Sequence, residues 1–265
     1  MNTTPSQPSL NILLTGAGSG LGRGLAQSFA GSDNGHRLFL ADLHVESLNE
    51  TIQLLPKSSV AARATAHALD VTSASQIQAM IDSLRTERID VLINNAGLQH
   101  VCPVEEFPEE RWDLLIDVML KGSFLMSRAC LPRMRQNGFG RIVNIGSLHS
   151  MVASPFKSAY VAAKHGLIGL SKVIALETAG VDITVNTICP AYVRTPLVDA
   201  QIRAQAQAHG ISEQDVIQKI MLEPMPKKAF ITIEEIAATA RFLMSHEARN
   251  ITGQAILIDG GWTSR

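Results

Sequence analysis

Cysteine is scarce: Cys102, Cys130 and Cys189 are the only three in 265 residues, far apart and in no C-x-x-C pair. This excludes a disulfide scaffold and gives no spacing for a zinc site, so free thiols and no metal are expected. A dominant charge is also missing. With 23 basic and 24 acidic residues the formal net charge is −1, so no global positive field exists to hold nucleic acid or an acidic membrane, although a local basic site for one small anion stays open. The apolar runs are short and broken by charge, well under the roughly 18 to 20 residues of a membrane span. The opening MNTTPSQPSL has neither a basic nor an apolar leader region, so residues 1–9 are expected to be a frayed start of a cytoplasmic protein. No internal repeat or low-complexity linker divides the chain, and one domain over 1–265 is expected.

What is present is alternation. Short Ile-, Val- and Leu-rich runs at Leu10–Thr15, Arg37–Ala41, Ala64–Leu69, Ile89–Asn94, Arg141–Gly146, Ile183–Ile188 and Ala255–Ile258 read as buried strands. Helical patterns lie between them at Gly20–Ala30, Val45–Leu55, Ser73–Arg85, Glu109–Gln136, Ser158–Thr178 and Thr232–Ser245. Strand–helix alternation predicts an α/β fold: a doubly wound, Rossmann-like parallel sheet with helices on both faces. The polar stretch Leu197–Lys228 interrupts it and reads as two inserted helices over the sheet's carboxyl edge, either a lid or a surface excursion.

The stretch LLTGAGSGLGRG follows the first strand and opens the first helix. Glycine lets backbone approach a pyrophosphate, and the free N–H groups of the following helix favour the anion. Asp42, 20 residues after Gly22, ends the next strand, where a carboxylate accepts from ribose hydroxyls and repels a 2′-phosphate. That combination predicts NAD. Asp70 ends the third strand and either meets the adenine ring or marks the start of the next helix.

These motifs, together with NNAG (Asn94–Gly97), Ser147, YVAAK (Tyr160–Lys164) and CPAYVRTP (Cys189–Pro196), resemble the short-chain dehydrogenase/reductase family over nearly the whole chain. The resemblance is closer to its branch acting on D-3-hydroxybutyrate, carried by NNAGLQHVCPVEEFP, SLHSMVASPFKSAYVAAKHG, ALETAG, RTPLVDAQI and ITGQAILIDGGWTSR. It implies a cofactor lying along Thr15, Gly16, Gly18, Ser19, Gly20, Leu21, Gly22, Asp42, Asp70, Val71, Asn94, Ala96, Gly97, Tyr160, Lys164, Pro190, Val193 and Thr195. It implies a small carboxylate substrate held by Gln99, His149, Lys157 and Gln201, with Ser147 and Tyr160 at its reacting oxygen. Trp262 would be a wall beside the substrate methyl, or core packing. The implied reaction is NAD-dependent interconversion of (R)-3-hydroxybutyrate and acetoacetate by a homotetramer. Another 3-hydroxy acid, a neutral alcohol, or a poorly active NAD-binding variant are the alternatives.

The residue types support catalysis by Ser147, Tyr160 and Lys164. Tyrosine titrates near 10 and is a poor base at neutral pH, but an ammonium one helical turn away stabilises tyrosinate. Tyr160 can then remove a hydroxyl proton as hydride leaves the adjacent carbon. Ser147, just past the fifth strand, can hydrogen-bond the reacting oxygen. Three positions depart from the resemblance. Ala191 replaces a glycine, beside Tyr192 where tryptophan is frequent. Met119, in VMLKG, replaces an asparagine that helps hold a kinked helix whose carbonyl anchors a proton-relay water. Methionine accepts weakly and cannot donate, so the expectations are retained but slower turnover, or a broken relay.

Overall fold

Seven apolar runs become seven strands, described in a computed structural model covering residues 9–31, 35–56, 63–84 and 87–264. Residues 1–8 of the expected frayed start and Arg85 of the expected third helix lie outside them. The strands are β1 (Asn11–Thr15), β2 (Arg37–Asp42), β3 (Ala64–Ala68), β4 (Val91–Asn94), β5 (Phe139–Ile145), β6 (Asp182–Pro190) and β7 (Ala255–Ile258). They pair in parallel in the order β3-β2-β1-β4-β5-β6-β7.

Side-chain alternation splits each strand between two cores. Ile12, Leu14, Leu38, Leu40, Val91 and Ile93 pack on one face with Leu25 and Phe29 of α1 (Gly20–Ala30) and Ile236 of α9 (Ile233–Met244). Leu13, Phe39 and Leu92 face the opposite core. There they meet Ile77 of α3 (Ala74–Ser83), Leu125 and Met126 of α5 (Gly122–Asn137) and Ile174 of α6 (Ser158–Glu177). Both faces of β1, β2 and β4 are therefore buried, which is why they read as continuous apolar runs. α2 (Val45–Gln53) crosses from β2 to β3.

Two local outcomes differ from expectation, and the inserted stretch forms the pair of helices expected of it. The single helix expected over Glu109–Gln136 is α4 (Glu109–Ile116), a π-helical turn at Asp117–Lys121, and α5. α5 ends at Gly138, whose φ of 69° is left-handed and suits glycine at a helix C-terminus. The inserted stretch forms α7 (Pro196–His209) and α8 (Glu213–Val216), the latter running into a π-helical turn at Ile217–Met221. Val198, Ile202, Val216 and Met221 make its own small core, closed by Tyr192 and Phe230. Finally, α6 is long and apolar enough to cross a membrane by length and composition, contrary to the sequence reading. Its Ala163, Leu167, Ser171 and Ile174 are buried inside the protein, so its apolar character belongs to the core.

Candidate active site

The order of pairing reverses between β1 and β4, and ligands of open parallel sheets bind outside the carboxyl ends at such a switch. A cleft of about 640 Å³ lies there, running from Asp42 and Asp70 past Gly16, Ser19, Gly20, Leu21 and Gly22 to Ser147, Tyr160 and Lys164. Ala96, Gly97, Val71, Pro190, Val193, Thr195, Gln99, His149, Lys157 and Gln201 also line it.

The glycine-rich turn is built by close packing. Gly16 has a φ of +65°, and a side chain on Gly22 would place Cβ 2.0 Å from the Gly16 carbonyl oxygen. Ser19 precedes α1 without a side-chain capping bond, which leaves first-turn N–H groups for an anion. Asp42 is already oriented: its carboxylate accepts from the N–H of Gly18 at 2.9 Å and of His44 at 3.3 Å. Arg23 is committed nearby, donating to the Gly18 carbonyl at 2.5 Å, the Thr51 hydroxyl at 3.0 Å and Glu50 at 3.0 Å. Asp70 lines the cleft, accepting from the N–H of Thr72 at 2.8 Å and its hydroxyl at 2.7 Å, while the residue that caps the next helix is Ser73.

Not every expected cofactor residue reaches the cleft. Asn94 is buried and donates to Asn144 at 2.8 Å. The cleft residue is its neighbour Asn95, whose amide donates to the carbonyls of Thr15 at 3.0 Å and Gly16 at 3.1 Å. Alternation along β4 turns one asparagine into the sheet and the next toward the turn. Thr15 acts from behind the wall: its hydroxyl accepts from the N–H groups of Asn95 at 3.0 Å and Ala96 at 3.2 Å. Gly18 is likewise off the lining and serves through Asp42. Trp262 does not line the cleft; its ring lies 6.1 Å from that of Tyr192, which does. Packing behind Tyr192 replaces the expected contact with a substrate methyl.

At the reactive end, Ser147 caps a short turn over Leu148–Ser150 at the end of β5, accepting from the His149 N–H at 3.1 Å. Tyr160 and Lys164 rise from the first turns of α6, Lys164 with Nζ 5.7 Å from the tyrosine ring centroid. Lys164 is 5% exposed and donates to the Ile145 carbonyl at 2.6 Å. Burial pushes its pKa down to about 8. Burial also raises Tyr160, opposed by a hydrogen bond from Ser147. The Lys164 ammonium near the ring is the positive charge that would favour the phenolate.

Met119 lies in the π-helical turn, buried with Leu115, Ala159 and Ala163, and on the cleft wall. The kink therefore exists without an asparagine. The Met119 carbonyl accepts from the Ser123 hydroxyl at 2.7 Å, a partner supplied by the chain itself.

Polar groups at the cleft's far end divide into two sets. Lys157, Gln99 and Gln201 make no side-chain hydrogen bond or ion pair to described residues; Lys157 lies 5.9 Å from the Tyr192 ring centroid. Burial lowers the Lys157 pKa, the mark of a cation short of a counter-charge. His149 differs. Its Nε2 meets the Ser154 hydroxyl at 2.7 Å and its Nδ1 the Ser147 hydroxyl at 3.4 Å. Both ring nitrogens have hydroxyl neighbours, and the ring lines the cleft. Ser154 had no signal in the sequence beyond an ordinary loop serine.

A family model described as "Enoyl-(Acyl carrier protein) reductase", adh_short_C2, matches residues 16–263. A D-beta-hydroxybutyrate dehydrogenase of Rhizobium meliloti is 44% identical over 96% of this chain and 98% of its own length. A second, from Cupriavidus necator, is 40% identical over 96% of this chain and 97% of its own. Among solved structures, an Agrobacterium tumefaciens protein provisionally assigned as a 2-deoxy-D-gluconate 3-dehydrogenase, with bound NADP, superposes with a TM-score of 0.83. It is 32% identical and covers 99% of this chain and 100% of that one.

Proposed function

Because the chain belongs to the short-chain dehydrogenase/reductase family, we propose that this oxidoreductase converts (R)-3-hydroxybutyrate to acetoacetate with NAD and runs the reverse with NADH. The carrying observation is the unpartnered set of Lys157, Gln99 and Gln201 beside Ser147 and Tyr160. An ammonium flanked by two amides suits a small carboxylate, since hydrogen bonds to charged groups contribute about 1.5–3 kcal/mol. The names of the Rhizobium and Cupriavidus relatives support the same substrate.

The residues fit a nicotinamide dinucleotide: at Gly16 and Gly22 the turn packs too closely for a side chain, and the cleft runs from Asp42 to Tyr160. Bound there, the cofactor would supply a hydride acceptor. Tyr160 takes the hydroxyl proton, Ser147 hydrogen-bonds that oxygen, and Lys164 stabilises the tyrosinate. Lys157, Gln99 and Gln201 hold the carboxylate, Gln201 from the inserted helix α7. NAD rather than NADP is supported by Asp42, whose charge opposes a 2′-phosphate, and by Arg23, whose guanidinium is already bound to Gly18, Thr51 and Glu50.

We further propose a cytoplasmic homotetramer. The exposed apolar side chains Phe124 on α5 and Val173 and Leu176 on α6 support burial against other subunits. Light scattering on the purified protein tests this, and a monomer refutes it.

The test of function is cofactor reduction with NAD and NADP, using both enantiomers of 3-hydroxybutyrate and a set of neutral alcohols. Preference for the (R)-acid with NAD is expected. Lys157→Ala should raise KM for that acid by roughly tenfold or more. An unchanged KM refutes the carboxylate cage, and preference for NADP refutes the ribose argument.

A further inference from the structure

The cleft wall near Tyr160 carries a phenol where an apolar side chain would be enough to meet a methyl group. Tyr192 lines the cleft, half-buried, on a backbone pinned from both sides. The Ala191 N–H donates to the Ile258 carbonyl and the Tyr192 carbonyl accepts from the Ile231 N–H, each at 2.9 Å. Its ring is set between Trp262, with centroids 6.1 Å apart, and the Lys157 ammonium, 5.9 Å from the ring centroid. A ring held this way has one direction in which to present its hydroxyl. That hydroxyl makes no hydrogen bond to a described residue, and it is not sealed inside the protein.

The Tyr192 phenol is also close to the catalytic one. Burial raises the Tyr160 pKa, and the Cys189 thiol and the Tyr192 phenol add to that rise through space. Burial raises Tyr192 as well, so it stays a neutral hydroxyl that can both donate and accept. The other polar groups here are matched by the rest of a 3-hydroxy acid: Ser147 and Tyr160 by the oxygen on C3, Lys157, Gln99 and Gln201 by the carboxylate. The part left for Tyr192 is C4. Against a methyl, its hydroxyl gives up water and gains no partner. Against a hydroxymethyl group it gains one.

We infer that Tyr192 is a specificity-determining residue whose hydroxyl binds a polar substituent on C4, so that this site also takes 3,4-dihydroxy acids. This specificity rests on the 3-hydroxy-acid reading of the cleft. The probe is (S)-3,4-dihydroxybutanoate, which has the spatial arrangement of (R)-3-hydroxybutyrate; the label changes only because the new oxygen raises the rank of C4. In its oxidation the hydride on C3 passes to NAD and the C3 hydroxyl proton to Tyr160, leaving 4-hydroxy-3-oxobutanoate and NADH.

The test is steady-state NAD reduction with each acid, on the unmutated protein and on Tyr192→Phe, which keeps the ring and its contacts with Trp262 and Lys157. The unmutated protein should oxidise both acids. Tyr192→Phe should lower the ratio of kcat/KM, dihydroxy acid over 3-hydroxybutyrate, by roughly fivefold to tenfold. A general loss of folded protein or of cofactor binding cancels in that ratio. An unchanged or raised ratio places the hydroxyl on a part that both acids share, or on neither, and overturns the inference. So does failure of the dihydroxy acid where 3-hydroxybutyrate reacts, which leaves the 3-hydroxy-acid reading standing. Failure of both acids overturns that reading and the inference with it.

Discussion

At the Asp42 end of the cleft, recognition rests on backbone. Gly16 and Gly22 leave no room for other residues, and Asp42 is fixed by a main-chain N–H. At the Lys157 end it rests on side chains from separate elements: Gln99 after β4, Lys157 before α6 and Gln201 on α7, none with a side-chain hydrogen bond or ion pair to a described residue. The first end is preformed for a ligand part common to many enzymes. The second is a set of unsatisfied groups that a substrate completes, so its specificity can change without disturbing the fold.

The largest expected effect lies where the two ends meet. Tyr160→Phe should lower kcat by about 10²–10⁴-fold while fluorescence titration finds NADH affinity unchanged; lost affinity would mean that the ring holds up the cofactor end instead. Next, Gly22→Ala forces Cβ to 2.0 Å from a carbonyl oxygen. Overpacking of this kind costs about 1–3 kcal/mol, so NADH should bind roughly 5- to 150-fold more weakly, with KM for the acid at saturating cofactor little altered. Equal losses at both ends would break the comparison.

A smaller effect concerns acid stability. His149 titrates at about 4 in the folded protein against 6.5 for the ordinary side chain, and buried His36 is also shifted down. Between those values the unfolded chain binds protons that the folded chain refuses, so stability falls as pH drops from about 6.5 to about 4. The melting temperature should decrease across that window, and His149→Gln should flatten the decrease. A slope unaltered by the substitution would show that His149 is not a source. Smallest is Met119→Asn. It should raise kcat with KM unchanged if a polar side chain in the π-helical turn eases proton exit; unchanged kcat would show that the carbonyl held by Ser123 suffices.

The sheet, the glycine turn and the Tyr160–Lys164 pair were legible in the sequence because each follows from local rules: buried runs, backbone clearance, one helical turn. Residues whose partners come from elsewhere were not. The assignment of Asn94 rather than Asn95 to the cleft depends on the phase of β4, which a four-residue apolar strand buried on both faces does not reveal. The π-helical turn at Asp117–Lys121 leaves the apolar pattern of its helix nearly continuous. Trp262 turns to Tyr192 and Ser154 to His149 only in three dimensions.

Thr195 both lines the cleft and caps α7, its hydroxyl accepting from the Val198 N–H at 3.4 Å. Removing such a cap weakens a helix by about 1 kcal/mol. The order of the first turn of α7, the helix that carries Gln201 into the cleft lining, therefore hangs on a hydroxyl that faces the same cleft.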